Sequence, residues 1–305
     1  MTDPSLKAIM SERRQLINLA YRLLGSLADA EDVVQETYTR WYAMSEERRD
    51  AVETPAAWLT TVASRICLDL LGSARVRRES YVGDWIPEPV PDRTEWSGGP
   101  SSGATAEPAD PADRVTLDES ISMAFLVVLD AMTPAERVAF VLHDVFRYPF
   151  AEVADVVGRS PAACRQLASS ARRRIRDAQP SAAAVTTSTR RAELVRDFKE
   201  AWAAKDIQAL VGLLDPSATA VADGGGLVTA LGPVDGGAQI ARALVELLEG
   251  APELTMLERT VNGQPGLVLQ EDRVTATVLA FDVAGDRITH VWAVRNPEKL
   301  RPWTD

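Results

Sequence analysis

Residues 149–176 read PFAEVADVVGRSPAACRQLASSARRRIR, and this stretch decides how the region around it folds. Ala154 falls where two helices must approach closely. Gly158, four residues on, closes the first helix at a sharp turn, and Cys164, six further on, faces back into the pair. Ser160 caps the second helix and Pro161 takes its first position. That helix offers Arg165, Gln166 and Ser169 outward, followed by Arg172, Arg173, Arg174 and Arg176. A helix-turn-helix with a basic extension suits a major groove flanked by phosphates. The alternative is an ordinary surface helical hairpin.

The chain of 305 residues is long enough for two or three domains. Its net charge of −11 argues against a free-standing DNA binder, which usually carries a basic surface. Positive charge is clustered at Arg75–Arg78 and Arg159–Arg176, which suggests DNA contact made while docked on a partner that supplies much of the affinity. Cys67 and Cys164 have no pair spacing for metal or redox work and read as core residues in a reducing compartment. No apolar run approaches the roughly 20 residues that span a bilayer, and a signal-peptide core is missing. A soluble, cytoplasmic protein that makes no membrane contact is expected.

Residues 1–82 read as helical. Leu16, Leu19, Ala20, Leu23 and Leu24 recur at helix spacing until Gly25. Asp29 is expected to cap the next helix, DAEDVVQETYTRWYAM; a polar loop, SEERRDAVET, leads to a third helix from Pro55 to Gly72, and a basic tail follows. Residues 83–112 are a Pro/Gly-rich linker whose WIPEP run, with Trp85 and Pro87, reads as an extended segment docking on a neighbouring surface. Residues 113–178 form a second helical domain containing the helix-turn-helix; Thr133-Pro134-Ala135-Glu136 is a capping box, and His143 reads as a structural histidine. Residues 190–305 form an α+β domain. An amphipathic helical pair broken near Lys205–Asp206 precedes a helix, AQIARALVELLEG. Three β-like runs follow, TMLERTVNG, PGLVLQEDRVTATVLAFDV and DRITHVWAVRN; in the last, Ile288, His290 and Trp292 alternate with Val291 and Ala293.

With these elements placed, the first 176 residues resemble the extracytoplasmic-function (ECF) sigma factors of the sigma-70 family, which keep two helical domains, regions 2 and 4. The motif carrying the resemblance in region 2 is DAEDVVQE, whose Asp32, Gln35 and Glu36 share one helix face at i, i+3, i+4. The resemblance implies that this face binds the clamp coiled coil of the largest subunit of core RNA polymerase. The PAAWLTTVASRICLDLL segment resembles the part that opens the minus-10 element of promoter DNA. Trp58 matches a frequent aromatic position there, and Arg65 stands where many members have Asn; it can stack on a base or bind phosphate. Arg75, Arg77 and Arg78 fit flanking phosphates. In region 4 the resemblance assigns the second helix to the minus-35 element. Arg165 and Gln166 are the leading base-edge contacts, since Arg pairs with G and Gln with A. Arg172, Arg173 and Arg174 fit phosphate or the polymerase flap.

The remainder looks like a SnoaL-like domain, a cone of curved antiparallel sheet and helices, as carried by a subgroup of these factors. Three of the subgroup's signatures recur: WIPEP at Trp85–Pro89, DGGG at Asp223–Gly226, and NPEKL at Asn296–Leu300. Leu227 follows the glycines where members commonly have Lys. The resemblance thus implies two all-α sigma domains followed by an α+β regulatory extension. Trp85, Pro87, Asp223, Gly224, Asn296, Pro297 and Lys299 are the candidate regulatory residues. No catalytic residues, metal or cofactor are expected, while a small apolar or polyketide-like ligand has room in such a cone. Two alternatives stand beside this reading. A SnoaL-like isomerase or cyclase would use Asp223, Asp282 or His290, but these form no recognisable constellation. A DNA-binding regulator with a ligand-sensing domain would need neither the DAEDVVQE face nor the Trp58 segment.

Overall fold

The computed structural model describes residues 4–79, 81–91, 121–178, 186–228, 232–251 and 253–303. They fall into two compact units, one helical and one built on a sheet.

The helical unit begins with α1 (Pro4–Leu24), α2 (Leu27–Ala43), α3 (Glu46–Asp50) and α4 (Pro55–Glu79). Helices α1, α2 and α4 close on Leu16, Leu19, Ala20, Leu23, Val33, Val34, Leu59 and Ala63, none more than 3% exposed. Three local expectations need correction. Ser26, not Asp29, caps α2: Gly25 ends α1 in the left-handed region (φ 71°), and the Ser26 hydroxyl accepts from Asp29 N at 3.2 Å. The loop after α2 contains the single turn α3. Helix α4 continues through Gly72 to Glu79, because an interior glycine costs only about 1 kcal/mol and nothing there caps the helix.

The same unit continues from Phe125 with α5 (Met123–Asp130), whose first two residues belong to the sheet unit, then α6 (Pro134–Phe140), a π-helical turn over Val141–Val145, α7 (Phe150–Val157) and α8 (Pro161–Ala178). The capping box at Thr133–Glu136 is present. Gly158 has φ 70°, Ser160 Oγ accepts from Ala163 N at 3.2 Å, and Cys164 is fully buried, so α7 and α8 form the expected helix-turn-helix.

The sheet unit contains α9 (Ser188–Ala203), α10 (Ile207–Leu213), β1 (Leu214–Asp223), β2 (Val234–Asp235), α11 (Gly237–Gly250), β3 (Thr255–Val261), β4 (Gln264–Glu271), β5 (Val274–Ala284) and β6 (Arg287–Val294). Strand order is β2-β1-β6-β5-β4-β3, an open six-stranded sheet. Strands β3 to β6 form an antiparallel meander, but β1 runs parallel to β6, so the sheet is mixed rather than wholly antiparallel. Pro216 near its start disguises β1 in the sequence; the register shift between Leu214 and Thr219 absorbs it as a bulge. The long run from Pro265 to Val283 is two strands, hinged where Asp272 and Arg273 both adopt positive φ (49° and 67°), the requirement of a tight hairpin turn. A further shift between Asp282 and Val283 changes the side-chain alternation of β6. Ile288 therefore joins Val291 in the core instead of sharing a face with His290 and Trp292.

Helices α9, α10 and α11 share one core with the sheet, built on Leu194, Phe198, Trp202, Ile240, Leu279 and Phe281. Val268, Val278, Ala280 and Val294, which alternate with core residues along their strands, are also at most 5% exposed. Residues 81–91 belong to this unit, far ahead of it in sequence. Among the described residues no helix is long and apolar enough to cross a membrane.

Candidate functional site

Asp32, Gln35 and Glu36 are all exposed on α2, and Glu36 Oε1 pairs with Arg40 Nε at 2.8 Å. On α4, Trp58 is half-buried and meets Trp41 edge-on, with centroids 5.1 Å apart. Arg65 is exposed, and its Nη2 donates to the Asp155 carbonyl at 2.9 Å. The side chains of Arg75, Arg77 and Arg78 lie outside the described residues. Arg165, Gln166 and Ser169 are exposed in the first half of α8, and the Arg165 guanidinium lies 5.4 Å from the centre of the Phe150 ring. Arg172 is half-buried and paired with Asp144 at 2.6 Å, whereas Arg173 is exposed. His143 is held structurally, with Nδ1 2.9 Å from the Tyr148 carbonyl and its ring stacked on Phe150 at 3.7 Å.

Sequence reasoning missed Arg137. It is 3% exposed, donates from Nη1 to the Leu23 carbonyl at 2.8 Å, and pairs through Nη2 with Asp130 at 2.8 Å. Burial pulls its pKa down to about 10. The Tyr148 hydroxyl donates to Thr60 Oγ1 at 3.0 Å. These bonds tie the α6–α7 segment to the helices that precede it.

In the sheet unit, the three short signatures converge on one buried carboxylate. Asp223 ends β1 with no exposed surface. Its Oδ1 accepts from the Tyr81 hydroxyl at 2.6 Å and Gly225 N at 3.0 Å; its Oδ2 accepts from Ile86 N at 3.0 Å and Lys299 Nζ at 2.6 Å. Lys299 Nζ also donates to the Ile86 carbonyl at 2.6 Å and stands 4.3 Å from the Trp85 ring centre and 5.2 Å from that of Tyr81. A buried carboxylate is tolerable here because a cation and three further donors face it. Asn296 Nδ2 donates to the Tyr81 hydroxyl at 2.9 Å, while its backbone N donates to the Asp223 carbonyl at 2.9 Å. Burial, then the bond donated to Asp223, raises the Tyr81 pKa well above its usual 10, so the phenol stays a donor. Gly225 has φ 63°, and a Cβ there would lie 2.4 Å from Asn296 Nδ2, which explains one glycine of the run. Gly224 and Pro87 are buried; Pro297 is exposed at the turn before Lys299. Asp223 is therefore a buried hub that also forms the local turn, through its bond from Gly225 N.

Ile86 and Val90, each 1% exposed, carry the extended segment onward to a second anchor. Val90 N donates to Asn262 Oδ1 at 3.1 Å, Asn262 N donates to the Val90 carbonyl at 2.9 Å, and Asn262 Nδ2 donates to the Ile121 carbonyl at 2.9 Å. Trp303 Nε1 donates to the Pro89 carbonyl at 2.9 Å. Asp223 stands at the C-terminal end of β1, and the β3–β4 turn holding Asn262 is at the opposite end of the strands. Residues 81–91 thus form a strap fastened at both ends of the sheet. Tyr81, Asn262 and Trp303 were not legible as its fasteners; Asn262 fell at the end of the β-like run TMLERTVNG.

An apolar cavity of about 90 Å³ lies between the sheet and α11, lined by Trp202, Ile240, Leu244, Leu279 and Val291, with Thr277 and Arg295 as polar members. Asp282 and His290 lie elsewhere, with Oδ2 and Nδ1 3.9 Å apart and the histidine 43% exposed.

The helical unit thus combines a bundle carrying an exposed acidic and amide face on α2 with a helix-turn-helix whose second helix exposes Arg165, Gln166 and Ser169. The chain matches the family model for sigma-70 region 2 over residues 8–77 and that for sigma-70 region 4 over residues 122–175. The ECF RNA polymerase sigma factor SigJ of Mycobacterium tuberculosis is 38% identical over 300 residues, covering 94% of this chain and 90% of that protein. The probable ECF RNA polymerase sigma factor SigI of the same species is 34% identical over 300 residues, covering 98% and 96%. The crystal structure of M. tuberculosis SigJ superposes with a TM-score of 0.73 at 35% identity, covering 97% of this chain and 98% of the other. The chain belongs to the ECF sigma factors of the sigma-70 family, and so is a transcription initiation factor rather than an enzyme.

Proposed function

We propose that this sigma factor docks on core RNA polymerase through the Asp32, Gln35 and Glu36 face of α2, at the clamp coiled coil of the largest subunit. The polymerase flap receives the basic end of α8. Trp58 and Arg65, with Arg75, Arg77 and Arg78, serve the minus-10 element; Arg165, Gln166 and Ser169 serve the minus-35 element, with Arg172 and Arg173 on phosphates. The C-terminal unit, SnoaL-like in its resemblance, regulates promoter engagement through the strap. The single observation that carries this is the Asp223 node, where the chain between regions 2 and 4 is bonded to Lys299 near the end of the extension.

The physical lever is reach. Minus-10 and minus-35 centres about 25 base pairs apart are separated by about 85 Å at 3.4 Å per pair. Eleven strap residues span at most about 36–40 Å, and freeing them releases both of their anchors on the sheet unit, so that this span becomes variable. Fastening or releasing the strap therefore changes which promoter spacings the two regions can span together, a shift between conformational states. An effector seated in this cavity would meet an almost wholly apolar lining, which favours a small apolar ligand.

The test is run-off transcription with core polymerase, comparing the full chain with one stopped after Ala178 and one lacking residues 296–305. Both truncations should change transcript yield strongly and alike. Trp85→Ala should be non-additive with the loss of 296–305, since both act on one node. Equal yield from all three proteins sinks the regulatory reading while leaving the sigma-factor assignment untouched.

A further inference from the structure

We infer that Phe150 is a specificity-determining positioning residue for minus-35 recognition, acting by pre-ordering the Arg165 guanidinium. The inference rests on the reading that Arg165 contacts a base edge.

Arg165 is on the exposed face of α8, five residues into the helix, where a recognition helix addresses base edges. A long, exposed arginine populates many rotamers, and ordering it on DNA opposes binding. Here the guanidinium carbon is already 5.4 Å from the Phe150 ring centre, within cation–π range. Stacking uses the flat face of a guanidinium; its N–H donors lie in the plane and stay available for the two acceptors of guanine.

The ring is itself fixed. Phe150 opens α7, directly after Pro149, and stacks on His143 at 3.7 Å with the planes 25° apart. His143 is anchored by Nδ1 beside the Tyr148 carbonyl at 2.9 Å, which makes Nδ1 the protonated nitrogen that donates. Tyr148 is in turn held by the bond from its own N to the Leu142 carbonyl at 2.9 Å. Phe150 is therefore in contact with both a held histidine and the guanidinium of the reading side chain, and so links the π-helical turn to Arg165.

The experiment uses full-length protein in holoenzyme and a promoter selected from a randomised minus-35 pool with the wild type. Affinity is measured for every single-base variant of that element. Arg165→Ala should lose discrimination at one position by roughly 5- to 150-fold. Phe150→Leu and Phe150→Met should lose roughly two- to five-fold at the same position, and Phe150→Tyr, which keeps the ring face, should retain it. In the Arg165→Ala background, Phe150→Leu should add nothing there. If Arg165→Ala acts at one position but both Phe150 variants discriminate like the wild type, or weaken all variants equally, the positioning role is overturned and the base-contact reading stands. If Arg165→Ala changes no position, the base-contact reading fails and the inference fails with it.

Discussion

Replacing Lys299 by Met tests whether the Asp223 node holds the strap. The substitution keeps the aliphatic stem beside Trp85 and removes the ammonium that sits 2.6 Å from both Asp223 Oδ2 and the Ile86 carbonyl. Removing one partner of a buried ion pair costs about 3–5 kcal/mol, because the remaining charge is stranded. Asp223 would keep three donors, from Tyr81, Ile86 and Gly225, which places the effect near the lower end. About 3 kcal/mol corresponds to roughly a 150-fold rise in the open population, at 1.36 kcal/mol per decade. Amide hydrogen exchange reads this directly, because Ile86 N–H is itself a ligand of Asp223. Exchange at Ile86 should accelerate on the order of 100-fold, and at Val90 by less, since the Asn262 anchor stays intact. The double variant Lys299→Met with Asp223→Asn should be non-additive, because no buried charge is then left alone, although the Asn amide nitrogen must face one of the donors that the carboxylate accepts from. Exchange at Ile86 unchanged within about threefold in Lys299→Met would refute the assignment of the pair as the fastener.

Three further outcomes are expected. Asp32→Ala combined with Gln35→Ala should weaken binding to core polymerase by about 10-fold or more in a titration with labelled protein, with stability changed by under about 0.5 kcal/mol, since both are exposed. Gly225→Ala should destabilise the sheet unit by at least about 1–2 kcal/mol in denaturant unfolding, from its positive φ alone, with the clash on Asn296 adding to this. Burial pushes the Glu136 pKa up, but bonds from Ser170 and Thr133 and the nearby Arg174 outweigh it and leave it lowered. Its stabilisation is therefore full above the unfolded value of about 4.3 and lost as pH falls through the lower folded value. Glu136→Gln should flatten the acid limb of helical-unit stability over that window, and an unaltered acid limb would remove Glu136 from the account.

The helical half was readable because its signals are local. Gly158, Ser160, Pro161 and the Thr133–Glu136 box act within one turn of where they stand. The corrections there concern element bounds: the cap of α2 at Ser26, the single turn α3 inside an expected loop, and the continuation of α4 past Gly72. The sheet half was harder. Strand β1 hides behind Pro216 and pairs in parallel with a strand more than 60 residues later, which periodicity cannot report. Of the hub, Asp223, Asn296, Lys299 and Trp85 were singled out through short signatures shared with relatives. Tyr81 and Asn262 were not, because their roles depend on partners 142 and 172 residues away. Arg137 escaped for a similar reason: an arginine in an amphipathic helix looks solvated until the carbonyl of Leu23, 114 residues earlier, is placed beside it.

The separation of 213 residues between Ile86 and Lys299 also sets an order in time. At about 5–20 residues per second, the ribosome makes the seat of the strap roughly 10–40 s after the strap itself. Both DNA-binding regions, complete by Ala178, are synthesised within that interval. Each newly made molecule therefore passes through a stage in which its promoter-reading parts exist and the fastening of the chain between them does not. Capture by polymerase during that stage would compete with closure of the strap, and slower translation between Ala178 and Lys299 would favour capture.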